Sequence, residues 1–190
     1  MMLTVAFVPP VPVLDELNAI IDEAGWRPGD LERIAAPDMQ ISVTAFGNVS
    51  RGDRVQLAST LTRLSSGWPP APVLQFTGGA ALEWPGDQSV WAKLDGEVEA
   101  LEQVAQSIAP AMLRLGFAVD RRRFRPWLPV GTVTAATRLD FLERLLAGLE
   151  AHRGEAWEAP HLSLLRTAFD AGRPGGRSFE VLQEFTLPAP

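Results

Sequence analysis

Ala36-Pro37-Asp38-Met39-Gln40-Ile41-Ser42-Val43-Thr44-Ala45-Phe46-Gly47-Asn48-Val49 sets an alternating segment between a proline and a glycine. From Ile41 to Phe46 it alternates as a strand does, with Ile41, Val43 and Ala45 expected on one face and Gln40, Ser42, Thr44 and Phe46 on the other. Upstream, the apolar run Leu3 to Val8, ended by Pro9-Pro10, reads as a buried strand. Between the two strands, Val13, Leu14, Leu17, Ile20, Ile21 and Ala24 recur at helical spacing, with Pro12 in the first turn and Gly25 just past the end. Downstream, Ser50 with Asp53 opens a helix carrying Val55, Leu57, Ala58, Leu61 and Leu64, which Gly67 closes.

After the Pro-rich Trp68 to Pro72 come two strand segments, Val73 to Thr77 and Ala81 to Trp84. A turn at Gly86-Asp87 leads into a third, Ser89 to Leu94, and the three read as an antiparallel meander. Asp95 to Leu115 is a long amphipathic helix that Pro110 should kink or split. Next stands a basic cluster, Arg121, Arg122, Arg123 and Arg125, running into Pro126-Trp127-Leu128-Pro129-Val130. A helix from Leu139 to Ala151 and strands near Leu162 to Leu165 and Phe179 to Leu187 finish the chain, with a Gly-rich turn at Gly172 to Gly176. This order of elements is loosely doubled. It predicts an α+β fold of two lobes, each an antiparallel sheet with flanking helices, around a central cleft, within one domain over residues 1–190.

Composition narrows the chemistry. The 190 residues include no cysteine, which excludes disulfides, thiolate metal sites and cysteine nucleophiles. The formal charge of −6 gives no overall basic field for long nucleic acid. The opening residues hold only a six-residue apolar run before Pro9, too short for a membrane span, so a cytoplasmic protein is expected. There is no phosphate loop, no dinucleotide fingerprint and no zinc-ligand spacing, and neither cofactor nor metal is expected.

Residues 36–49 resemble the first signature of the 2′-5′ RNA ligase and RNA 2′,3′-cyclic phosphodiesterase family, within the two-histidine phosphoesterase superfamily. That signature is His-x-Thr/Ser, then apolar residues, then a Phe-Leu-Gly-like end. Ser42, Phe46 and Gly47 fit it, and Gln40 holds the histidine position. The second signature, Phe-x-Pro-His-x-Thr-x-x-Arg, resembles Phe124-Arg125-Pro126-Trp127-Leu128-Pro129-Val130-Gly131-Thr132. Here Trp127 holds the histidine position, Pro129 the Thr position and Thr132 the trailing Arg position. The resemblance runs nearly the whole chain, through the meander to Phe185-Thr186-Leu187.

In that family one histidine removes a proton from the attacking oxygen and the other protonates the leaving oxygen across an inter-lobe cleft. Glutamine does not titrate near neutrality and an indole only donates, so neither replaces a general acid or base. The resemblance therefore implies no catalytic residue here. It implies a cleft with Gln40, Ser42, Trp127, Pro129, Arg123 and Arg125 as ligand-binding candidates, and a nucleotide or RNA end as partner. On the Trp127 side such a cleft should be narrower and drier, stacking a planar ring and binding bare phosphate only if Arg123 or Arg125 turns inward.

Two alternatives stand beside this reading: an active phosphodiesterase or ligase using His161 or another group, and a scaffold or protein-interaction domain that keeps only the fold. His161-Leu162-Ser163-Leu164 imitates His-x-Ser-apolar, but only 29 residues follow it, and it reads as an ordinary strand segment. His152 reads as a solvated residue at a helix end. The arginine cluster reads either as a phosphate clamp or as a solvated loop on an acidic protein.

Overall fold

The computed structural model of the chain describes residues 1–120, 123–169 and 177–189. Arg121, Arg122 and the predicted Gly172 to Gly176 turn lie outside the described residues. Nine strands and four helices are described. The strands are β1 (Met2–Phe7), β2 (Glu32–Arg33), β3 (Ile41–Asn48), β4 (Val73–Ala81), β5 (Ser89–Gly96), β6 (Trp127–Thr132), β7 (Trp157–Glu158), β8 (His161–Phe169) and β9 (Arg177–Thr186). The helices are α1 (Val11–Glu23), α2 (Arg51–Ser65), α3 (Val98–Arg114) and α4 (Leu139–Ala151).

The strands form two antiparallel sheets, a four-stranded one in the order β3-β1-β8-β9 and a five-stranded one in the order β2-β6-β5-β4-β7. This is the expected α+β arrangement of two lobes. In the four-stranded sheet β1 pairs with its near neighbour β3 and with the distant β8, Met2 facing Thr167 and Ala6 facing Ser163. The five-stranded sheet ends on both sides in a two-residue strand. No helix among the described residues is long and apolar enough to cross a membrane.

Amphipathic faces account for the packing. Val13, Leu14, Leu17, Ile20 and Ile21 bury one side of α1, while Phe141, Leu145 and Leu149 do the same for α4. These join Leu3, Val5, Phe7, Leu74, Phe76 and Val90 from both sheets in one apolar cluster. Gly79 lets α4 approach β4: a Cβ added there would lie 2.6 Å from Leu149 Cβ. The start of α2 follows its sequence, since the Ser50 hydroxyl accepts from the Asp53 amide at 3.1 Å. Between α1 and α4, Arg138 donates to both oxygens of Asp30 at 2.9 and 2.7 Å and to the Gly25 carbonyl at 3.0 Å.

Three expectations need correction. Pro110 does not split its helix: α3 runs unbroken across it. The lost amide bond costs about 3 kcal/mol, and the buried face of Leu101, Val104, Ala105, Ile108, Ala111 and Met112 outweighs it. The segments 73–77 and 81–84 are not two strands, because β4 runs through Gly78 and Gly79, where Gly78 at φ 92° carries an irregularity in the pairing with β5. The simple alternation of β3 also fails. Its pairing with β1 passes over Phe46 and Val43, two bulges that reset which side each residue faces.

Candidate functional site

β3 and β6 belong to different sheets, and between them lies a cavity of about 390 Å³. From β3 it is lined by Ser42, Val43 and Thr44, and from β6 by Trp127 and Pro129. Trp84, Trp91, Asp120, Arg123, Phe124 and Arg125 complete the lining. The structure thus brings together Ser42, Arg123, Arg125, Trp127 and Pro129. Gln40 stays apart: it precedes β3, is 8% exposed, does not line the cavity, and its Oε1 is buried without a hydrogen-bond partner.

Local structure explains the lining. The bulge at Val43 puts three consecutive residues, Ser42 to Thr44, against one cavity where strict alternation would have turned Val43 away. Pro129 offers no amide, yet β6 tolerates it, because β2 pairs only with Gly131 and Thr132 and leaves that side of β6 open. The connector between α3 and β6 ties the sheets together. The Asp120 amide donates to the Ala45 carbonyl at 3.2 Å, and the Leu94 amide of β5 donates to the Pro126 carbonyl at 3.2 Å.

The most developed side of the cavity is aromatic. Trp84, Trp91 and Trp127 lie with ring centroids 5.6 to 6.5 Å apart, Trp84 and Trp127 stacked at 25°. Trp91 reaches this position because β5 pairs it with Pro129. Trp84 comes from the β4–β5 loop, which the Asp87 carboxylate organises by accepting from the amides of Glu83 and Ser89 and from the Trp91 indole at 3.0 Å. Burial alone would raise the Asp87 carboxyl, but these hydrogen bonds outweigh it and hold the group below its ordinary value. The loop starts at Leu82, whose φ of 56° is left-handed, a strain of about 1–3 kcal/mol that the Asp87 contacts help to hold.

Cations lie on this wall. The Arg125 guanidinium carbon is 4.7 Å from the Trp84 centroid and 4.9 Å from that of Trp127, and Lys93 Nζ is 4.9 Å from Trp127. Ser42 and Thr44 add hydroxyls opposite, the latter donating to the Asp120 carbonyl at 3.5 Å. Such a site can hold a planar ring on the indoles and an anion on guanidinium edges.

Neither histidine lines the cavity. His161 opens β8 opposite Thr186, with its Nδ1 buried and unpartnered. His152 is not the solvated residue expected at a helix end. Its side chain is 18% exposed, and its Nε2 lies 3.2 Å from Glu16 Oε2, close enough for an ion pair but without the directionality of a hydrogen bond.

No family model and no curated protein sequence matches the chain. Solved structures do. E. coli LigT in complex with 3′-AMP superposes with a TM-score of 0.76 at 17% identity, covering 97% of this chain and 97% of that one. The fold is that of LigT. A protein described as a phosphoesterase matches at 0.75 and 17% identity over 97% of both chains. TT0787 of Thermus thermophilus matches at 0.73 and 17% identity, covering 100% of this chain and 99% of that one. The LigT fold over the full chain is consistent with the two-histidine phosphoesterase resemblance of residues 36–49 and 124–132. At such identity the likeness carries the fold and assigns no role to any side chain.

Against the LigT fold, what sequence reasoning missed is specific. Val43, Thr44, Trp84, Trp91, Asp120 and Phe124 line the cavity unforeseen. For the indoles the available signal was the pair Trp84 and Trp91 flanking the Gly86-Asp87 turn of a hairpin, which brings its two arms together, while Thr44 shared the expected face of Ser42 and Phe124 stood in the second signature. Among the described residues no group of three or more histidine, aspartate or glutamate side chains could hold a metal ion.

Proposed function

We propose that the chain is a 2′-5′ RNA ligase-like protein that holds a nucleotide or RNA end between its two sheets without histidine catalysis. The observation that carries this reading is the cavity lining: indoles and guanidinium groups stand against the Ser42 and Thr44 hydroxyls, with no imidazole among them. The LigT structures support it, since they include complexes with 3′-AMP, NADP+, ATP and phosphate. On this reading the residues that replace the signature histidines are Gln40 and Trp127. Trp127 stacks the ring, Arg123 and Arg125 take the anion, Ser42 hydrogen-bonds to the ligand, and Pro129 closes the dry side. One domain with two pseudo-symmetric lobes and a cytoplasmic setting belong to the same reading, and the apolar cluster shared by both sheets supports the former.

Loss of each proton-transfer group removes roughly 10²- to 10⁴-fold in rate. Hydrolysis of nucleoside 2′,3′-cyclic phosphates is therefore expected at background, with a histidine-intact relative as the positive control. Nucleotide binding, followed by tryptophan fluorescence, is expected to be retained. Turnover that disappears in His161→Ala would overturn the non-catalytic half of the reading, and absence of nucleotide binding would overturn the other half.

A further inference from the structure

Arg125 covers the faces that a ligand ring would use. Its guanidinium lies within 5 Å of the centroids of both Trp84 and Trp127, which are themselves 6.5 Å apart. The side chain is exposed, and among the described residues no carboxylate or other side-chain acceptor engages it. Stacking uses the flat of a guanidinium and leaves its N–H edge free for a carboxylate or phosphate. Lys93 also lies over Trp127, but as its cross-strand partner, and it does not line the cavity. Among the described residues Arg125 is therefore the cation both stacked on the wall and open to the cavity.

Resting on the nucleotide reading above, we propose that Arg125 is a resident stand-in for the ligand's ring. A planar base displaces the guanidinium from the Trp84 and Trp127 faces, and the released side chain takes the phosphate carried by the same ligand. The ligand class that follows is a nucleoside bearing a phosphate. A bare nucleoside must evict Arg125 and gives it nothing to bind in return, whereas a free phosphate leaves the indoles unused. Selectivity thus comes from an exchange: one stacked cation leaves, one stacked base arrives, and the cation finds an anion within the same cavity. Asp87 takes part as a positioning residue, because its hydrogen bonds hold the loop bearing Trp84.

The experiment titrates the wild-type chain, Arg125→Ala and Arg125→Gln with adenosine, 3′-AMP and inorganic phosphate, followed by calorimetry and tryptophan fluorescence. The wild type is expected to prefer 3′-AMP over adenosine by about tenfold. In Arg125→Ala adenosine binds several-fold more tightly than in the wild type, 3′-AMP binds several-fold more weakly, and the preference collapses. Arg125→Gln, whose flat amide still competes for the rings without charge, gives intermediate adenosine affinity and the same loss of 3′-AMP. Cooperative thermal melting within a few degrees of wild type shows that both variants fold, as expected for an exposed side chain. Adenosine binding no tighter in Arg125→Ala than in the wild type overturns the exchange, as does an equal loss of both ligands. If the wild type binds 3′-AMP without these shifts, the exchange alone falls. If neither adenosine nor 3′-AMP binds any of the three proteins, the nucleotide reading falls and the exchange with it.

Discussion

Arg138 and Arg125 carry the same planar cation into opposite settings. Arg138 donates from two nitrogens to the two oxygens of Asp30, whose side chain is 3% exposed, and Thr137 adds a hydrogen bond to the Asp30 carbonyl at 2.8 Å. The shortest contacts of Arg138 are to the buried Asp30, and this pair fastens the start of α4 to the loop after α1, with the exposed Asp140 a looser partner at 3.4 Å. Arg125 instead rests on indole faces at the mouth of a cavity, its donors uncommitted among the described residues. The contrast separates two uses of arginine: a fork closed on a buried carboxylate is a rivet, and a fork laid flat on aromatic rings keeps its edge for an incoming anion.

Exchanging each arginine for alanine tests that contrast. Arg138→Ala leaves the Asp30 carboxylate buried without its fork, and the largest fall in melting temperature of this set is expected there. Arg125→Ala gives up exposed cation–π contacts only and should cost about 0.5–1 kcal/mol. Equal losses measured by calorimetry would erase the distinction. Between these extremes, Gly79→Ala forces a methyl against Leu149 and should cost about 1–3 kcal/mol in urea unfolding, without altering the cavity.

Acid sharpens the same comparison. The hydrogen bond from Arg138 holds the Asp30 carboxyl down at about 2, from an ordinary 3.8. A depressed carboxyl contributes stability that is present above its unfolded value and lost as pH falls through its folded one. The gap between wild type and Arg138→Ala should therefore be full near neutrality and narrow as pH falls toward 2. A gap that stays open below pH 2 would assign the destabilisation to lost packing. The smallest expected effect is that of Asp87→Asn, which weakens the support of Trp84 and Trp91: nucleotide affinity falls a few-fold while the melting temperature moves little. An unchanged affinity would show that the loop holds its shape without the carboxylate.

The parts of this molecule legible in its sequence are those written in local pattern. α1, α2 and α4 follow from helical period, α2 also from its Ser50 cap, and β3 follows in extent though not in the faces of its residues, while the placing of Ser42 and Trp127 on strands of different sheets follows from the two signatures. What escaped depends on pairing between distant residues. The bulges at Val43 and Phe46 exist only against β1, and the two-residue strands β2 and β7 are too short to show a period. Gln40, expected in the cleft, lies just before β3 and does not line the cavity, which Ser42, Val43 and Thr44 line instead. Trp84 joins Trp127 through a loop whose shape is set by Asp87, a long-range consequence that no window of sequence around Trp127 contains.

The pairing of β1 with β8 also sets an order of events in the folding of the chain. Strands β2, β4, β5, β6 and β7 all lie between residues 32 and 158, so the five-stranded sheet has every strand before β8 begins at residue 161. β1 and β3 have each other from residue 48 onward, but the far side of β1 stays open until β8 arrives. At a synthesis rate of about 5–20 residues per second, that edge waits on the order of 6 to 20 seconds on the ribosome. One sheet can thus assemble during elongation while the other remains a two-stranded ribbon with an apolar face to shield. Completion of the fold is a late, long-range closure, of the kind that slows folding and exposes an intermediate to aggregation.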